Sequence, residues 1–73
     1  MQNLEEVKTE YVQNMRVLLS THPRELEKFD SLWGNGKLRE AYVLAHEVIK
    51  NLKLVMSADQ SKADEKFFWL YIN

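Results

Sequence analysis

One proline and two glycines are all that interrupt 73 residues, and no cysteine is present. A chain with so few breakers is built from long regular segments joined by short turns. Apolar residues recur at steps of three and four, so the segments are helical. The expected fold is all-α: a compact bundle of three to four helices in one domain, residues 1–73. A second core could not close in so short a chain.

Four helices are expected, at residues 2–20, 23–33, 37–56 and 61–72. In the first, Leu4, Val7, Tyr11, Met15 and Leu18 form one stripe, widened by Val12, Val17 and Leu19. Pro23 suits the first turn of the second helix, with Thr21 or His22 as its cap and Glu25 placed to reach back. Its apolar side is Leu26, Phe29, Leu32 and Trp33. Gly34-Asn35-Gly36 makes the tight turn of a helical hairpin.

The third helix carries Leu38, Ala41, Tyr42, Ala45, Val48, Ile49, Leu52 and Val55 on one side. The polar break Ser57–Ser61 offers Asp59 and Ser61 as caps for the fourth. There, Phe67, Leu70 and Tyr71 are expected to face inward. A strand over the last six residues is the minority alternative, since they are aromatic and rich in β-formers.

Composition removes several function classes. Without cysteine there are no disulfides and no thiolate metal sites. His22 and His46 lie too far apart in sequence to close a metal site alone, and no Glu-x-x-His spacing is present, so neither metal nor cofactor is expected. No apolar stretch approaches the ~20 residues of a membrane span, and the acidic, amphipathic start does not read as a signal peptide. The expected location is therefore cytoplasmic.

The net charge is −1, with the two signs interspersed, so no strongly basic field for nucleic acid arises. The one candidate basic face is Lys37, Arg39, Lys50 and Lys53 on the third helix, which would serve a nucleic-acid-binding regulator. Ser20, Ser31, Ser57 and Ser61 sit at helix ends or on polar faces, as caps and solvated hydroxyls do.

His46 is the remaining chemical candidate. It resembles the phosphoryl-accepting histidine of histidine phosphotransfer domains, although Ile49 and Lys50 shift the expected lysine by one position and the following glycine is absent. With Arg39 it also resembles the arginine-six-residues-histidine pair of HEPN-type ribonucleases, which are longer domains. The plainer expectation is a boundary histidine bonded to a neighbouring helix or to water. Gly36–Ala41, with Ala45 and Val48, is similar to part of a tetratricopeptide unit, except that bulky Phe29 stands where a small residue belongs. The same hairpin has some similarity to a helix-turn-helix with an overlong second helix.

The C-terminal run Phe67–Ile72 is apolar on every side of a helix. Leaving two or three such side chains in water forfeits ~1.5–3 kcal/mol each, and contiguous exposed patches of this kind mark interaction sites. Phe68, Trp69 and Ile72, with Val12 and Leu19, are therefore the expected protein interface. They could close on the first helix, on a second copy or on another protein. The resulting expectation is a non-enzymatic regulator or adaptor that binds protein, as a homodimer.

Overall fold

The computed structural model describes residues 3–73, and all the regular structure among them is helical. Four α-helices follow in order: α1 (Leu4–Leu18), α2 (Pro23–Gly34), α3 (Leu38–Leu52) and α4 (Ala58–Phe67). A π-helical turn, Phe68–Ile72, continues α4 to the end. The strand alternative for the last residues is thereby replaced by helix. None of these helices is long and apolar enough to cross a membrane.

Local chemistry sets most of the boundaries. Asn3 caps α1, its Oδ1 accepting from the Glu6 N–H at 2.8 Å, and Glu5 and Glu6 lie at the positive end of the dipole. The expected start at Gln2 lies outside the described residues. Pro23 opens α2 without a side-chain cap from His22. Gly36, at φ 76°, ends α2 in a two-bond turn: the Lys37 N–H donates to the Leu32 carbonyl and the Gly36 N–H to that of Trp33.

Two expected boundaries are corrected. The third helix stops at Leu52 rather than at residue 56, because Lys53 adopts the left-handed conformation, φ 55°. The Leu54 N–H then closes back on the Ile49 carbonyl at 2.9 Å, the same terminator as at Gly36 but built on a lysine. The fourth helix begins at Ala58, ahead of the expected residue 61, because Ser57 and Gln60 form a reciprocal capping box. The Ser57 Oγ accepts from the Gln60 N–H at 3.1 Å, and the Gln60 Oε1 accepts from the Ser57 N–H at 2.9 Å.

α1 packs on α4, and α2 packs on α3 as the expected hairpin. Tyr71 donates to the Leu4 carbonyl at 2.7 Å and Arg39 donates to that of Ile72. The starts of α1 and α3 therefore sit at the same end of the bundle as the last residues. The core is Val7, Tyr11, Met15, Leu19, Phe29, Ala41, Ala45, Val48, Phe67 and Ile72. Ala41 and Ala45, small and one turn apart, are fully buried, as helices in close approach require.

The two terminators test the backbone reading with opposite signs. A Cβ added at Gly36 meets no atom within 4 Å, so the cost of Gly36→Ala is conformational. Gly36→Ala should lose about 0.5–1 kcal/mol and Lys53→Gly should gain about as much, measured by urea unfolding. Changes of the same sign at both positions would refute the assignment.

Candidate functional site

Two features of the folded chain are candidate sites: a histidine–carboxylate pair between α3 and α4, and an apolar groove between α1 and α4. Around the first, His46 sits one turn after Tyr42 on α3, their ring centroids 4.4 Å apart. Asp64, only 8% exposed, projects from α4. The His46 Nε2 is 2.7 Å from the Asp64 Oδ1. A carboxylate only accepts, so Nε2 carries the proton and donates. Among the described residues no serine, threonine or lysine side chain bonds to this imidazole.

The Asp64 charge reaches further. Tyr11 is fully buried and its hydroxyl has no hydrogen-bond partner among the described residues. Burial drives its pKa far above the usual tyrosine value, and the nearby Asp64 carboxylate adds to that, with Tyr42 as a smaller contributor. Tyr42 is raised for the same two reasons, burial first and then Asp64. Both phenols are thus held neutral. No group of three or more metal-binding side chains occurs among the described residues.

The groove is lined by Val7 of α1, by Lys62, Glu65 and Lys66 of α4, and by Trp69 and Leu70 of the π turn. The five later residues repeat at steps of three and four, which places them along one side of the helix. Trp69 is 59% exposed and Leu70 52%, while Leu4, one turn before Val7 on α1, is 54% exposed. Tyr71, bonded to the Leu4 carbonyl, fixes this end of α1 beside the turn. A second depression, between α2 and α3, is lined by Arg24, Glu27, Lys28, Ser31, Leu32 and Leu44.

The expected interface residues divide. Trp69 is exposed and lines the groove. Phe68 and Val12 are half-buried against the core. Leu19 and Ile72 are buried in the chain's own core and face no partner, which corrects their assignment. The inward set is corrected too: Phe67 is buried, but Leu70 points outward and Ile72 replaces it.

The reason is the π turn. Its i→i+5 bonding, seen in the Asn73 N–H donating to the Phe68 carbonyl at 2.8 Å, lengthens the repeat. Ile72 thereby returns to the side of Phe67, five residues earlier. Leu4, Leu70, Lys62, Glu65 and Lys66 were missed as surface candidates, although the spacing from Lys62 to Trp69 was there to be read.

Of the four candidate basic residues, two have partners within the chain, and Lys50 and Lys53 are exposed. Arg39 is committed to the Ile72 carbonyl, and Lys37 lies 4.0 Å from Glu40. Lys53 belongs to the helix terminator, and Lys50 lies in the last turn of α3. No protein-family model, curated protein or solved structure matches the chain.

Tyr11 yields the sharpest test of this region. A buried hydroxyl without a partner costs free energy, so Tyr11→Phe should stabilise the protein by about 1 kcal/mol at neutral pH. The pH dependence follows from the raised pKa. The folded chain keeps the Tyr11 proton above pH 10.0, the ordinary value, whereas the unfolded chain releases it. Stability is therefore fully present below that pH and falls as pH climbs beyond it. Tyr11→Phe should flatten part of that fall in denaturant titrations, leaving the share due to Tyr42. An unchanged alkaline slope would contradict the buried neutral phenol.

Proposed function

We propose that this protein is a non-enzymatic protein-binding module, a regulator or adaptor, whose docking surface is the groove between α1 and α4. The observation that carries the reading is the exposed apolar set Trp69, Leu70 and Leu4 beside Val7, held on a turn that side-chain bonds fasten to α1 and α3. Tryptophan is among the residues most enriched in binding hot spots, and Trp69 lies here beside the charged Lys62, Glu65 and Lys66. Self-association as a homodimer fits a chain whose short length limits the surface it can bury alone.

The histidine reading draws less support. His46 has its Nε2 committed to Asp64, a bond that ties α3 to α4 as a boundary histidine does. The nucleic-acid reading draws less again, because Arg39 and Lys37 have partners within the chain.

A photo-crosslinking residue tests the surface directly. Trp69→benzoylphenylalanine should give protein adducts, and Gln13→benzoylphenylalanine, exposed on another side of α1, should not. Trp69→Ser/Leu70→Ser should abolish the interaction while shifting stability by no more than about 0.5 kcal/mol per site, because both side chains are already largely in water. Equal adduct yields from positions 69 and 13 would sink the proposal.

A further inference from the structure

Four of the six side chains lining the groove are spaced symmetrically along the helix. Along α4 and the π turn they read Lys62, Glu65, Lys66, Trp69, and among the described residues none of the three charged groups has an ion-pair partner. The geometry points to a second copy of this chain as the occupant of the groove. The two α4 helices would run antiparallel about a two-fold axis between Glu65 and Lys66. This inference rests on the docking surface proposed above and names what fills it.

In a two-fold antiparallel pair, positions equally far from the axis on either side face each other. Glu65 then faces Lys66 of the second copy, and Lys66 faces its Glu65, giving two opposite-charge contacts. Lys62 falls against Trp69 of the second copy, an ammonium over an indole face, again twice. Leu70 falls against Ser61, which is small enough to let the helices approach. The four symmetric groups each find a partner of fitting chemistry, while Val7 and Leu70 lie outside that pairing. The parallel alternative sets Lys62 on Lys62 and Lys66 on Lys66, and like charges repel. With charged pairs at its centre and only Trp69, Leu70 and Leu4 as apolar anchors, the dimer is weak and salt-sensitive.

Sedimentation equilibrium on the full chain at low salt tests this. Wild type should dimerise, and Glu65→Lys or Lys66→Glu alone should weaken the dimer ~10-fold or more, because each swap creates two like-charge contacts. The double variant Glu65→Lys/Lys66→Glu should recover most of the wild-type affinity. Both positions are exposed, and circular dichroism verifies that each variant keeps its helices. A wild-type monomer at all concentrations overturns the inference, and so does a dimer that ignores the single swaps or is not rescued by the double one. If the wild type is monomeric while position 69 still crosslinks to a different protein, the docking surface stands and the second copy is excluded. If neither is observed, both readings fall.

Discussion

The rest of the molecule depends on the stack of Tyr11 on Phe67, with ring centroids 4.0 Å apart and planes 12° from parallel. Tyr11 belongs to α1 and Phe67 ends α4, so this contact joins the two ends of the sequence. The same Tyr11 ring meets Phe29 and Trp33 of α2 and Tyr42 of α3 within 6.3 Å. All four helices therefore converge on one side chain. Large rings suit so short a chain, because each buries about 150–250 Å² and few residues are available to build a core. The cost is the Tyr11 hydroxyl, carried into the interior with no partner among the described residues.

Around that stack, three side-chain hydrogen bonds connect segments far apart in sequence. His46 to Asp64 joins α3 to α4, Arg39 to Ile72 joins α3 to the π turn, and Tyr71 to Leu4 joins the turn to α1. The Arg39 bond reaches a carbonyl in the last turn, where a helix end leaves acceptors unmatched and the dipole favours a cation. The closing segment is thus held from two sides at once, by α1 through a phenol and by α3 through a guanidinium.

The helices themselves were legible because their signals are local. Pro23 and Gly36 stand where their backbone preferences require, and the stripe Val7, Tyr11, Met15 faces the core as its spacing implies. Ser57 and Gln60 carried a readable capping signature that was passed over for Asp59 and Ser61. The end of α3 had no such mark: Lys53 takes a conformation that glycine usually supplies, and Val55 and Met56 prolong the apolar pattern past it. The His46–Asp64 bond spans 18 residues and leaves no trace in either segment. Of the binding surface, Trp69 was visible as an excess aromatic. Leu19 and Ile72 were placed on the wrong side because an apolar residue does not announce which neighbour will cover it.

The π turn links those errors to the proposed role. Had α4 continued with ordinary i→i+4 bonding, Ile72 would leave the side of Phe67, and Leu70 would move toward the core in its place. By closing on i→i+5, the chain buries Ile72 beneath the Arg39 bond and turns Trp69 and Leu70 together into the groove. π-helical turns commonly mark functional sites, since their poorer bonding has to be offset by contacts elsewhere. Here the offset is identifiable: Ile72 in the core, and Arg39 and Tyr71 anchoring the turn. Two apolar side chains are kept in water by the same arrangement, and burial against a partner would recover the free energy that their exposure forfeits.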